Sequence, residues 1–130
     1  MDAFDHLQPE LEPAAPPHPD DLHWLRKDVG SLLPEDYLAF IAQHDGAHGA
    51  VGDLWPAAEV GRGKDVVPDV DHLADLVVFG FGGGGEAFAF DAQGQAVVIP
   101  WIGGEADAIP QGTFTEFTKR LVEGRLFEQT

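Results

Sequence analysis

The sequence contains no cysteine and very few basic residues. Without cysteine, a disulfide framework, a thiol nucleophile and a thiolate-bound metal are all excluded, and stability must come from packing. Only 7 Lys and Arg oppose 23 Asp and Glu, which gives a formal net charge of -16. Such a charge opposes binding to nucleic acid or anionic lipid and favours a basic protein partner.

Long apolar runs are also missing, and the N-terminus lacks the basic and apolar segments of a secretory signal. We therefore expect a cytoplasmic protein with no membrane partner. Residues 1–19 hold five of the ten prolines, several acids and no base, and this composition predicts a disordered acidic tail. The remaining residues, 20–130, are long enough for a single domain with its own core.

Three amphipathic helices are predicted from apolar residues at helical spacing. The first covers residues 20–30, and Trp24 beside its apolar stripe is expected to be a buried anchor. The second begins near Pro34 and runs to about His44. The third follows Thr113 and Glu116, which have the spacing of a capping box, and ends at Gly124. The first two stripes consist of Leu22, Leu25 and Val29, and of Tyr37, Leu38, Phe40 and Ile41.

The stretch 76–100 alternates with a period near two and predicts antiparallel strands, with a hairpin turn at Asp91–Gly94. Gly80, Gly82 and Gly85 have the spacing of a dinucleotide fingerprint, but the following residues, EAFAFD, predict a strand where that site needs a helix. We interpret the glycines as a connection between strands. Residues 50–55 are expected to form an edge strand, and residues 61–75 a surface loop.

No catalytic, cofactor-binding or metal-binding residues are predicted. His44 and His48 are four residues apart, but Gly46 interrupts the helix that would align them on one metal, so we interpret them as a helix end and turn. The single serine, Ser31, lies outside any nucleophile-elbow pattern. We therefore expect a protein that is not an enzyme. The element order indicates an α+β fold of two N-terminal helices, a central antiparallel sheet of about four to five strands and a C-terminal helix.

Residues 20–124 resemble the SUKH superfamily, which includes fungal cell-wall-synthesis regulators and many bacterial immunity proteins. The resemblance lies in the order and spacing of the short first helix and of residues 33–41, 76–91 and 114–117. The resemblance implies a binding protein, commonly an immunity protein that neutralises a toxin of a polymorphic or contact-dependent system. A regulatory interaction module without a toxin is the alternative.

The charge pattern adds a hypothesis about the partner-binding surface. Residues 65–118 contain no base, and their acids could stand in for the phosphates of a nuclease toxin's substrate while speeding its encounter with the protein. The predicted partner-binding residues are Asp65, Asp69, Asp71, Asp75, Glu86, Glu105 and Asp107.

Overall fold

The computed structural model describes residues 7–8, 10–62, 76–82, 86–100 and 109–124. Three α-helices lie within these segments, and a short 3-10 turn at Gly30–Leu32 follows the first of them. The helices are α1 (Pro19–Val29), α2 (Glu35–Gln43) and α3 (Phe114–Glu123). The strands are β1 (Glu12–Pro13), β2 (Ala47–Gly49), β3 (Gly52–Leu54), β4 (Gly61–Arg62), β5 (Val77–Gly82), β6 (Glu86–Phe90), β7 (Ala96–Pro100) and β8 (Ile109–Gly112).

These strands form one sheet in which every described pair is antiparallel. Seven strands follow the order β1-β2-β3-β5-β6-β7-β8, and β4 pairs with the first residues of β5. The predicted α+β class is confirmed, but the sheet is larger than the predicted four to five strands. The additional strands have only two to four residues, which is too short for an alternating pattern to mark them.

Several local predictions differ from the structure. The predicted edge strand over residues 50–55 is wrong: β3 lies inside the sheet between β2 and β5, and Ala50 and Val51 form the turn between β2 and β3. Residues 101–111, interpreted from the sequence as a connection to the third helix, include most of β8 (Ile109–Gly112). The described part of the predicted disordered tail contains β1, and Leu7 and Leu11 are fully buried in the core.

The predicted hairpin between β6 and β7 is confirmed. Gly94 adopts a positive φ of 79°, and its N–H donates to the Asp91 carbonyl at 3.0 Å. The Asp91 side chain accepts from the N–H groups of Gln93 and Gln95, both at 2.9 Å. A strand also follows the glycine cluster, as predicted, because β6 begins at Glu86 and pairs with β5. The helix N-terminus that a dinucleotide site requires is therefore replaced by a strand.

Aromatic side chains connect one face of the sheet to α2 and α3. Phe79 of β5 stacks on Phe90 of β6 with ring centroids 4.2 Å apart. Tyr37 of α2 meets Phe90 at 4.9 Å and Phe114 of α3 at 5.0 Å, both edge-on. All four side chains are fully or almost fully buried. The opposite face of the sheet carries a second, smaller buried cluster of Leu76, Val78, Ala89, Val97 and Ile99.

A β-bulge in β5 interrupts the alternation of its side chains between the two faces of the sheet. The register between β5 and β6 shifts between Val78 and Gly80, so that Phe79 and Gly80 occupy successive positions toward α2 and α3. Gly80 also passes close to the neighbouring strand, because a Cβ there would collide with the carbonyl oxygen of Asp53.

One carboxylate joins the N-termini of α2 and α3. Asp36 Oδ2 accepts from the Thr115 N–H at 2.8 Å and from the Thr115 hydroxyl at 3.0 Å, while Asp36 Oδ1 accepts from the Tyr37 N–H at 2.9 Å. The predicted capping box of α3 is confirmed, with Thr113 and Glu116 bonding to each other's backbone N–H. Asp36 thus satisfies helix donors on two elements far apart in sequence.

We expect Asp36→Ala to lower the free energy of unfolding by about 2 kcal/mol, because hydrogen bonds to a charged acceptor are lost at two helix ends. Urea denaturation measures the change. Glu35→Ala is the matched control, since it removes the neighbouring, exposed carboxylate and should change stability by less than about 0.5 kcal/mol. Equal effects of the two substitutions would contradict the bridging role of Asp36.

The Tyr37 hydroxyl is buried without a hydrogen-bond partner in the described part of the chain. Burial, with a smaller effect from the Asp45 carboxylate, raises the pKa of this hydroxyl above its usual value. Since an unpaired buried polar group is costly, we expect Tyr37→Phe to raise the free energy of unfolding by about 1 kcal/mol. Tyr37→Ala should instead lower it by about 3–5 kcal/mol through cavity formation. A loss of stability in Tyr37→Phe would show that the hydroxyl has a partner.

Candidate partner-binding site

An open groove of about 580 Å³ lies between α1 and the loop after β3. Its buried floor consists of Leu25 from α1 and of Ala57 and Val60 from the loop. The rest of its lining consists of Asp21, Trp24, Lys27, Asp28 and Ala58. The volume falls in the range of about 300–1,000 Å³ that is usual for binding pockets.

Hydrogen bonds to the sheet and to the end of α2 hold the loop in place. The Trp55 N–H donates to the Phe79 carbonyl of β5 at 2.8 Å. The Ala57 N–H donates to Asp45 Oδ1 at 2.7 Å, and Asp45 follows His44, the C-cap residue of α2. One wall of the groove is therefore fixed to the core.

His44 ends α2, as predicted, but His48 lies in strand β2 and not in the predicted turn. His44 is the C-cap residue of α2, and its Nδ1 donates to the Ala14 carbonyl at 2.8 Å. His48 is exposed in β2, opposite Glu12 of β1. In the segments that the structure describes, no three His, Asp or Glu side chains are placed to hold a metal ion.

Trp24 lines the groove and leaves 60% of its surface exposed. The prediction of a buried anchor is wrong. At 100° per residue, Trp24 lies roughly 130° from the centre of the apolar stripe of α1, on the side that the core does not reach. The Lys27 ammonium lies over its ring, 5.0 Å from the centroid, and the His23 ring contacts it edge-on at 5.4 Å.

Two carboxylates flank Trp24 along α1. Asp21 precedes it by three residues and Asp28 follows it by four, so all three side chains lie on one side of the helix. Neither carboxylate forms an ion pair or a side-chain hydrogen bond with any residue that the structure describes. Asp28 stands in the last turn of α1, where the helix dipole disfavours a negative charge. The negative charge of Asp28 therefore does not stabilise the helix.

Of the seven acidic residues predicted to bind a partner, the structure describes only Glu86. Glu86 is described at the start of β6, where it is only 8% exposed and its carboxylate lies against Gly82. It offers a partner little surface. The other six, Asp65, Asp69, Asp71, Asp75, Glu105 and Asp107, lie outside the described residues. The groove itself was missed, although the position of Trp24 off the apolar stripe could have indicated it.

Comparison with known families places these elements in a wider group of proteins. The model of the SMI1 / KNR4 family (SUKH-1) matches residues 16–120. The chain belongs to the SMI1/KNR4 family. This confirms the resemblance to the SUKH superfamily. A search of curated proteins found no match.

The family match covers α1, the loop after β3 and the sheet as far as most of α3. All residues of the groove therefore belong to the SMI1/KNR4 region of the chain, whereas β1 and the buried Leu7 and Leu11 precede it. Membership in the family favours a role in protein–protein interaction. Of the helices described, none is long and apolar enough to cross a membrane.

We expect Trp24→Ala to change the free energy of unfolding by less than about 0.5 kcal/mol, because an exposed side chain contributes little to the core. Leu25→Ala, one residue further on, should lower it by about 2–4 kcal/mol, since Leu25 is buried and a cavity would result. Thermal or urea unfolding of both variants measures these changes in stability. Similar losses in the two variants would mean that Trp24 is a structural residue.

Proposed function

We propose that this protein is an immunity protein, which binds and neutralises a basic protein toxin of a polymorphic or contact-dependent system. The observation that carries the proposal is the SMI1/KNR4 family match over residues 16–120, because the resemblance to the SUKH superfamily implies toxin immunity as a common role. This function requires binding and no catalysis, because covering the toxin's active face blocks access of its substrate.

The charge of the chain supports a basic partner. A net charge of -16 attracts a cationic protein over distances beyond direct contact and raises the association rate. For a nuclease toxin, carboxylates on the immunity protein would occupy the positions of substrate phosphates. The proposed contact residues remain Asp65, Asp69, Asp71, Asp75, Glu86, Glu105 and Asp107, and among them Glu86 is the least suited because it is nearly buried.

A regulatory interaction module is the second candidate function. The groove beside Trp24 favours this second function, because an exposed tryptophan above an apolar floor suits many protein partners. The two candidates differ in the partner they require, because only the first needs a toxin encoded beside this protein.

Co-expression with the product of the adjacent gene tests the first candidate. We expect the two proteins to co-purify and growth to be rescued from the toxicity of that product. A catalytically inactive toxin variant should still co-purify, which separates binding from selection for survival. Failure of both co-purification and rescue, for an adjacent product that is toxic alone, would contradict the immunity function.

The electrostatic part of the proposal predicts a salt-dependent association rate. Between about 0.05 and 0.5 M NaCl, the rate constant for association with the toxin should fall at least about tenfold, because ions screen the long-range attraction. Stopped-flow or surface-based kinetics measure this constant. If the rate is insensitive to salt, the phosphate-mimicry hypothesis fails even where growth is rescued.

A further inference from the structure

We propose that the groove between α1 and residues 57–60 receives an arginine side chain of the protein partner. This inference rests on the proposed function, which supplies a basic protein partner, and it identifies a contact that the acidic sequence segments did not indicate. The groove offers each of the three surfaces that an arginine side chain requires: an aromatic face for the guanidinium, carboxylates for its N–H groups, and an apolar floor for its methylene groups.

The aromatic face is that of Trp24. Tryptophan binds cations over its ring more strongly than other aromatic residues, and this ring is 60% exposed. The Lys27 ammonium, 5.0 Å from the ring centroid, already shows a cation at this face. A planar guanidinium stacks on an aromatic ring and is less strongly hydrated than an ammonium group, so an incoming arginine can compete with Lys27 for the position.

The carboxylates are those of Asp21 and Asp28, which lie two helical turns apart with Trp24 between them. A guanidinium has five N–H donors in a fork that matches a carboxylate. Since neither aspartate is paired within the described chain, a guanidinium can bind without breaking an existing ion pair of theirs. The position of Asp28 near the C-terminal end of α1 is unfavourable for the helix, but it is favourable for holding an external cation.

The floor of the groove matches the arginine stem. Leu25, Ala57 and Val60 are buried apolar residues that line it, and long cationic side chains bury their methylene groups along such surfaces while the charged end remains at the rim. The charges of the lining residues also argue for a cation over an anion, because two carboxylates outnumber the ammonium of Lys27.

The test uses the isolated protein and short peptides, and therefore needs no toxin. The ¹⁵N-labelled chain is titrated with acetyl-Gly-Arg-Gly-amide and, as the matched control, with the same peptide carrying citrulline, which has the shape of arginine without the charge. The Trp24 indole N–H, assigned by its loss in Trp24→Phe, reports binding. We expect saturable shifts with the arginine peptide and at least about fivefold weaker binding of the citrulline peptide.

Substitutions distinguish binding in the groove from attraction by the negative charge of the whole protein. Asp28→Asn should weaken arginine-peptide binding by about two- to fivefold, whereas Glu35→Gln, an equal change of charge at an exposed residue outside the groove, should leave it unchanged. Lys27→Met should strengthen binding by about two- to fivefold, because it removes the competing cation from the Trp24 ring.

Equal binding of the two peptides would overturn the proposal, and so would equal effects of Asp28→Asn and Glu35→Gln, because either result would assign the attraction to net charge alone. Failure here is distinguishable from failure of the proposed function. If growth rescue succeeds and the arginine peptide leaves the Trp24 signal unmoved, the groove inference is wrong and immunity stands. If the peptide binds as described and rescue fails, the groove stands and its partner is a different basic protein.

Discussion

The stacking of Phe79 on Phe90 is the contact on which the rest of the structure depends. These rings lie on neighbouring strands at the centre of the sheet, and Tyr37 and Phe114 add edge-on contacts from α2 and α3. Each aromatic pair contributes about 0.5–1.5 kcal/mol beyond the area it buries, and the cluster as a whole fixes both helices on one face of the sheet. The β-bulge next to Phe79 brings Gly80 close to β3, and position 80 requires glycine because a Cβ there would meet the backbone of that strand.

The groove is positioned through this core. Tyr37 and the hydrogen bonds from Thr115 to Asp36 hold α2 in place. Asp45, which follows the C-cap residue of α2, therefore has a fixed position from which its side chain accepts a hydrogen bond from the Ala57 N–H. The loop from Ala57 to Val60 is thereby held opposite α1. Trp24 and the two flanking carboxylates thus project from a helix whose opposite side, at Leu25 and Val29, is buried. A binding site on such a support loses little conformational freedom when a partner docks.

The long, strongly patterned elements could be predicted from the sequence, and the short ones could not. The three helices, the β5–β7 region and the Asp91–Gly94 turn have local causes: apolar periodicity, a capping box and a residue with positive φ. Strands β1, β2 and β4 have two or three residues and depend on partners distant in sequence, so no local pattern marks them. Trp24 was misassigned because a large aromatic residue suggests burial by its type, whereas its angle around α1 decides the outcome. The groove is formed by two segments about 30 residues apart in the sequence, and no sequence motif marks it.

The net charge and the groove act over different distances, and this difference limits what each can contribute to recognition. A charge of -16 increases the encounter rate with any basic protein, and salt screens it within about 8 Å at physiological ionic strength. It cannot by itself distinguish one cationic protein from another. Selectivity comes from contacts that slow dissociation, which is where most affinity differences between related complexes lie. An aromatic ring flanked by unpaired carboxylates provides such a contact, because stacking and the guanidinium fork both depend on orientation at close range.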